Sequence, residues 1–330
     1  MKAFTVTRYG PDALRLSEVP DPSVGAHDVL VDVRAASINP LDQLVRNGDF
    51  KQLLKYKPPF ILGHDLAGVV TEIGAQVRGF AVGDEVYSRP RDLRIGTFAE
   101  RIAVDADDVA LKPRSLSFAE AGAVPLVALA AWQALVDVAH VQPGQKVLVH
   151  AGAGGLGSTV IQVAKHLGAH VATTAGPNDQ DKVRDLGADD VLDYAQQDFA
   201  EVLSGYDVVL DSLGGPNLEK SLTVLTPGGL AMSVVGPPDA AFARQAGHPI
   251  LAPVMVALSR RVRRQARRVG VRYSFFFMHA DGAQLKTLAA LYDDGTLRPV
   301  LDRTFGFDQT LEAMAYVEQG KAHGKVVVVR

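Results

Sequence analysis

In the segment Lys146-Val-Leu-Val-His-Ala-Gly-Ala-Gly-Gly-Leu-Gly-Ser158, an apolar run rich in β-branched residues (Val147 to Val149) meets three glycines, Gly152, Gly154 and Gly157, in the spacing G-x-G-x-x-G. Apolar residues then recur at helical intervals through Val160, Ile161, Val163, Ala164 and Leu167. Strand, tight turn and helix in that order form the signature of a dinucleotide-binding βαβ unit. The first glycine permits the turn and the second lets backbone N–H groups approach a pyrophosphate. The third lets the helix pack closely on the strand, and the helix N-terminus offers the positive end of its dipole to the phosphates. Ala151, Gly152, Gly154, Gly155, Leu156 and Gly157 are therefore the first candidate cofactor contacts.

The chain around this turn has 330 residues, more than one hydrophobic core usually serves, so two domains are expected. A formal net charge of −3 argues against a general nucleic-acid-binding role. The absence of cysteine excludes disulfides, thiolate zinc sites and cysteine nucleophiles, and fits a cytoplasmic location. The N-terminal Met1 to Arg8 has no signal-peptide pattern and reads as a strand. The longest apolar stretch, Ala121 to Val136, is too short for a bilayer and reads as one buried helix.

Two textures divide the chain. The first third alternates short strand-like runs, such as Val29 to Ala35 and Asp65 to Ile73, with Gly and Pro punctuation, which suggests a partly open β-barrel. From Ser117, where Ser-Phe-Ala-Glu120 forms a capping box, strands and helices alternate as in a doubly wound parallel sheet. Strands are expected at Lys146 to His150, His170 to Ala175, Asp207 to Asp211 and Gly229 to Val235, with helices at Gly157 to Leu167 and Asp181 to Leu186. The tail, with helices at Ala283 to Tyr292 and Gln309 to Glu318 and a last strand at Lys325 to Arg330, is expected to return to the first domain. The fold class is α/β, with a catalytic β-rich domain over 1–122, a Rossmann cofactor domain over 123–278, and the return over 279–330.

Six elements occur in an order that makes the chain similar to the zinc-free quinone oxidoreductase (zeta-crystallin-like) branch of the medium-chain dehydrogenases/reductases. They are Ala36-Ser-Ile-Asn-Pro-Leu-Asp42, Gly63-His-Asp-Leu-Ala-Gly68, Gly83-Asp-Glu-Val86, Gly96-Thr-Phe-Ala-Glu100, the glycine turn, and Gly324-Lys-Val-Val327. The resemblance spans nearly the whole chain and implies a GroES-like β-domain beside the Rossmann domain. It also implies that Asn39 stands where zinc-dependent members carry a cysteine ligand and that His64 stands at a histidine ligand. The four-cysteine lobe of those members is missing, since only Tyr87 to Ile95 join the third and fourth elements. One imidazole without thiolates makes a poor tetrahedral zinc site, so no metal is expected.

Without zinc, hydride transfer needs a positioned acceptor and a hydrogen-bond donor for the developing oxyanion. Asn39, Asp42 and His64 are the candidate catalytic residues: Asn39 as donor, Asp42 as a buttress of the local helix or the cofactor ribose, and His64 as a hydrogen-bonding neighbour of the nicotinamide pocket. Asn39 is equally expected to cap the helix that starts at Pro40, a role compatible with the first. Leu44 and Phe50 stand where many relatives place tyrosines, and Ala130 replaces a nicotinamide-contacting threonine. The pocket is thus apolar, and no tyrosine proton donor carries over.

For the cofactor, the resemblance implies contacts from Lys182 and Tyr194 to a ribose 2′-phosphate; the strand ending at Ala175 adds small hydroxyls such as Thr174, and no acid stands at its tip. NADPH is therefore expected, the alternative being that Asp179 supplies the acid of an NAD site. Ser212, Gly236, Phe276 and Lys325 complete the expected contacts, with a plain turn glycine as the competing reading of Gly236. Ser259 to Arg268 carries six arginines in ten residues. It is read as an extra helix over the cofactor domain, paired with surface carboxylates or lying at a dimer contact. An interfacial membrane helix and a nucleic-acid patch are the less favoured readings. Tyr273 to Met278 suits an edge strand covered by a second subunit. The expected activity is NADPH-dependent reduction of a small apolar carbonyl or quinone by a homodimer, with the substrate held between the domains. A zinc-free alcohol or aldehyde reductase and a non-catalytic NADPH-binding sensor are the alternatives.

Overall fold

The computed structural model describes residues 1–330, which divide into two compact units. The first combines Met1–Leu129 with His279–Arg330, and the second is Ala130–Met278.

The first unit is built on the long strand Asp28–Ile38, whose alternating apolar residues are buried. It pairs antiparallel with Leu66–Ile73 along one side. Its first half pairs with Arg101–Asp105 and its second half with the C-terminal strand Lys325–Val329. Leu301–Gly306 runs parallel to that last strand. Glu85–Ser88 and Val109–Leu111 extend the sheet beyond Leu66–Ile73. A three-stranded sheet of Leu14–Glu18, Lys2–Val6 and Phe60–Ile61 completes the β-structure. Two register relations bring distant polar residues together. Val326 pairs with Ile38, so Lys325 falls beside Asn39, and Ala35 pairs with Ala67, so Ser37 falls beside Asp65.

The second unit is a six-stranded parallel sheet in the order Asp190–Asp193, His170–Ala175, Lys146–Val149, Tyr206–Asp211, Leu225–Ser233, Arg272–Phe275. Its central strands are apolar on both faces, as a parallel sheet covered by helices requires. Leu148, Val209, Leu222, Ala231, Val262 and Ala266 belong to one buried cluster. The short strand Asp190–Asp193 has too little apolar pattern to be recognised from sequence and is held by pairing with His170–Ala175 and by the buried Leu192.

The apolar stretch expected as one helix is broken. Phe118–Ala123 and Pro125–Trp132 are α-helical, and Gln133–Val138 is a π-helical turn. Pro125 cannot donate a backbone hydrogen bond and sits where a new helix starts, which ends the first segment. No helix is long and apolar enough to cross a membrane.

Candidate active site

The dinucleotide turn lies at the carboxyl end of Lys146–Val149. The helix begins at Gly155, two residues before the expected Gly157, and runs to His166. A Cβ on Gly157 would stand 2.3 Å from the Ala151 carbonyl oxygen, and one on Gly152 would stand 2.1 Å from Thr173 Oγ1. Both positions therefore exclude any side chain, for reasons of close packing. Ala151 itself adopts φ 53°, a left-handed conformation costly for a residue with a Cβ. It is held there because its N–H donates to Thr174 Oγ1 at 3.1 Å. Gly154 has no side chain to cap the helix, so the first-turn amides of Gly155, Leu156 and Gly157 lack an internal acceptor. The turn is a bare, half-exposed row of donors at a helix N-terminus, and it fits a dinucleotide pyrophosphate.

A buried histidine supports the turn from beneath. His150 Nε2 lies 2.8 Å from Ser221 Oγ, and Nδ1 lies 3.3 Å from Thr174 Oγ1. Ser221 already donates its own proton to the Asn217 carbonyl, so it accepts from His150 Nε2–H. His150 Nδ1 is then the acceptor for the Thr174 hydroxyl. Burial pushes the His150 pKa down to about 4, partly opposed by the Asp211 carboxylate, which keeps the ring neutral. Thr174 is thus engaged beneath the turn.

Two neighbouring loops are tied together by Asp211. Its carboxylate accepts from the Leu213 and Gly214 amides at 3.1 and 3.0 Å and from Ser233 Oγ at 2.6 Å. Ser233 Oγ in turn accepts the Gly236 amide at 2.8 Å. A Cβ on Gly236 would meet the Tyr273 hydroxyl at 2.6 Å and Ser233 Oγ at 2.9 Å, so a side chain here would have to displace both. Ser212 Oγ donates to the His150 carbonyl over a long 3.4 Å. Phe276 is buried, with its amide bonded to the Ser233 carbonyl.

At the far end of His170–Ala175, a Cβ on Gly176 would lie 3.2 Å from the Tyr194 hydroxyl and 3.6 Å from Asp179 Oδ2. Tyr194 is 67% exposed and Lys182 half-buried on the following helix, Gln180–Asp185. The expectation that no acid stands at the strand tip is corrected. A turn in which the Asp179 amide donates to the Gly176 carbonyl brings that carboxylate back to it.

The second constellation is a buried polar cluster in the first unit. Asp42 Oδ2 accepts from the Asn39 amide at 2.7 Å, which caps the helix Pro40–Asn47. Asp42 Oδ1 lies 2.6 Å from His64 Nδ1, with both side chains fully buried. Asn39 is thus the N-cap, as expected, through its backbone, while its side chain makes no cap hydrogen bond and turns to other partners. Its Nδ2 donates to Asp65 Oδ2 at 2.8 Å, and its Oδ1 accepts from Lys325 Nζ at 2.6 Å. Asp65 Oδ2 also accepts from Ser37 Oγ at 2.7 Å and faces Lys325 Nζ at 3.3 Å. The other Asp65 oxygen accepts the Leu126 amide at 2.7 Å. Burial pushes the Lys325 ammonium below the ordinary lysine range, and Asp65 opposes that shift.

Of the expected catalytic trio, Asn39, Asp42 and His64 do come together. Lys325, expected among the cofactor contacts, sits with them. Asp65 is the hub, since it bonds Ser37, Asn39, Lys325 and Leu126. In the sequence it stands out only as the neighbour of His64. The signal that could have found it is the antiparallel register that brings Ser37 beside Asp65 and Asn39 beside Lys325. A zinc ion does not fit this set. His64 has only Nε2 left, both Asp65 oxygens are bonded, and a lysine ammonium occupies the centre.

Comparison with known proteins agrees with this geometry. Residues 25–114 match a family profile described as an alcohol dehydrogenase GroES-like domain, and residues 186–328 one described as a zinc-binding dehydrogenase. A tomato 2-methylene-furan-3-one reductase is 36% identical over 99% of this chain and 79% of its own length. The solved structure of a quinone oxidoreductase from Coxiella burnetii superposes with a TM-score of 0.87 at 30% identity, covering 100% of this chain and 99% of that one. A mycobacterial protein solved in complex with NADPH superposes with a TM-score of 0.81 at 27% identity, covering both chains fully at 100%. The chain is an NAD(P)H-dependent oxidoreductase of the medium-chain dehydrogenase/reductase family, in its quinone oxidoreductase branch.

Proposed function

We propose that this protein is an NADPH-dependent reductase of α,β-unsaturated carbonyls and quinones that works without a metal and as a homodimer. The observation that carries the reading is the buried Lys325–Asn39–Asp65 cluster, a cation held in place by an amide and a carboxylate. The similarity to an enone-type reductase and a quinone oxidoreductase supports the substrate class, and the relative solved with NADPH supports the cofactor. The open edge of Arg272–Phe275 supports the dimer.

When bound, the dinucleotide supplies the hydride. The amides of Gly155, Leu156 and Gly157 bind its pyrophosphate, and Ala151, Gly152 and Gly154 let the backbone approach. The Ser212 and Gly236 loops, tied by Asp211 and Ser233, orient its nicotinamide end, with Phe276 packed behind them. Lys182 and Tyr194 take the 2′-phosphate. Lys325 Nζ directs two of its three N–H groups to Asn39 and Asp65, and offers the third to the acceptor oxygen as negative charge develops there. Its lowered pKa makes Nζ a readier proton source for the reduced product. Asn39 and Asp65 aim the ammonium. His64 and Asp42 fix the start of the helix from which Asn39 emerges, and half-buried Leu44 and Phe50 favour hydrophobic acceptors.

NADPH-oxidation assays across quinones, enones and aldehydes, with NADH as control and with a chelator present, test this reading. Turnover of enones or quinones that survives the chelator is expected. Turnover of aldehydes alone, or loss of activity with chelator, would overturn it.

A further inference from the structure

Between Asp239 and Asp281 the chain contains eight arginines and no lysine, aspartate or glutamate. The structure folds the middle of this stretch into two consecutive helices, Ala252–Leu258 and Arg260–Arg268. Met255, Ser259, Val262 and Ala266, spaced three and four apart, form one buried stripe. Val262 and Ala266 pack into the core of the second unit, which fixes the orientation of the second helix. The other faces point outward. Ile250 is 85% exposed, Leu258 56% and Val254 51%, an unusual run of protruding aliphatic side chains. Arg260, Arg261, Arg264, Arg267 and Arg268 are exposed immediately after them. Only Arg261 finds a carboxylate, Glu219 Oε1 at 2.8 Å. The expectation that the segment is paired with surface carboxylates therefore holds for one arginine of the six.

We infer that this face docks on an anionic lipid bilayer. A row of unpaired guanidinium groups needs a surface of opposite charge, and the aliphatic side chains beside them need an apolar phase. The headgroup boundary of an anionic membrane supplies both, with cations at the phosphate level and aliphatics reaching below it. Nucleic acid would answer the charge and leave Ile250, Val254 and Leu258 in water. A second copy of the chain would need a face that is acidic and aliphatic together.

The test uses the full-length protein sedimented with vesicles of phosphatidylcholine, with and without about one-third phosphatidylserine. Binding is expected only with the anionic lipid. Each exposed arginine contributes about fivefold to partitioning, so R260Q/R264Q/R267Q/R268Q should weaken binding by roughly two to three orders of magnitude. Ile250→Ser with Leu258→Ser, which leaves charge unchanged, should weaken it about tenfold. Unchanged NADPH oxidation by the variants shows that they are folded. The proposal falls if the wild type ignores anionic vesicles, or if the arginine variant binds them as well as the wild type does. It also falls if the serine variant binds normally while the wild type holds duplex oligonucleotide equally well. Concentration-dependent dimerisation abolished by the same variants, with no vesicle binding, would assign the face to a second copy and overturn it too.

Discussion

The glycine turn and the buried polar cluster are both candidate functional constellations, but they are built from opposite materials. The turn is backbone: bare amides, a left-handed alanine and glycines whose Cβ positions are already filled by neighbouring atoms. The cluster is side chain: two carboxylates, an amide, an imidazole and an ammonium drawn from three separated stretches of sequence. A backbone site depends on the residues that are absent at given positions, so it is compact in sequence. A side-chain site depends on strand register, so its members are scattered. The two should therefore fail differently when perturbed.

The largest effect is expected at the turn. Gly157→Ala places a methyl against the Ala151 carbonyl, whose backbone cannot yield without moving the strand. Stability should fall by about 3 kcal/mol. Dinucleotide affinity, read by fluorescence titration, should fall roughly a hundredfold or more as the amide row is displaced. Near-normal binding by this variant would break the view of the turn as a packed backbone site.

Lys325→Met should show the opposite pattern. It leaves Asp65 buried without its cation, for a loss of about 3–5 kcal/mol in denaturant unfolding. In the folded fraction kcat should drop about a hundredfold to a thousandfold, while dinucleotide affinity stays unchanged. Equal loss of affinity would place Lys325 at the cofactor, the role that sequence alone suggests, and erase the contrast. Asn39→Ala should give a smaller loss of kcat, about tenfold, because it misaims the ammonium without removing it.

His150 tests the support beneath the turn. Its folded pKa of about 4 lies below the ordinary histidine value of 6.5, because burial disfavours the charged ring. The stability this contributes is complete above pH 6.5 and is lost as pH falls toward 4, where the unfolded chain takes up a proton that the folded one refuses. The loss amounts to roughly 3 kcal/mol across that window. His150→Gln should flatten this acid limb in thermal melts at pH 7 and below. An unchanged limb would assign acid sensitivity to other groups. The smallest effect is expected at the ribose end, where Lys182→Ala should lower the preference for NADPH over NADH about tenfold. Asp179→Asn should raise that preference by a similar factor, since the carboxylate beside Gly176 opposes a phosphate. Equal use of both cofactors by the wild type would remove the argument for Lys182.

Much of this molecule is legible in its sequence. The period-two runs, the glycine spacing and the strand–helix alternation locate the Rossmann unit and its turn because each is a local pattern with a local cause. The unbroken apolar stretch from Ala121 to Val136 misleads, since hydrophobicity reports burial and says nothing of the helix break at Pro125. The strand Asp190–Asp193 escapes detection because its pairing with His170–Ala175, more than its composition, makes it a strand. Asp179, named from sequence as the acid of the alternative site, is returned beside Gly176 by a single turn hydrogen bond that no local pattern announces.

By itself, then, the sequence determined the fold class and the dinucleotide turn, and it singled out Asn39, Asp42 and His64, which the structure brings together. Only the tertiary structure decided that the Asn39 side chain faces Lys325 and Asp65 while its backbone caps the helix. Only it showed that most guanidinium groups of Arg260–Arg268 find no carboxylate. The physical reason is the same in both cases. A turn is specified by the conformational limits of a few adjacent residues. The partner of a buried or surface charge is specified by which distant strand or helix the register brings alongside it.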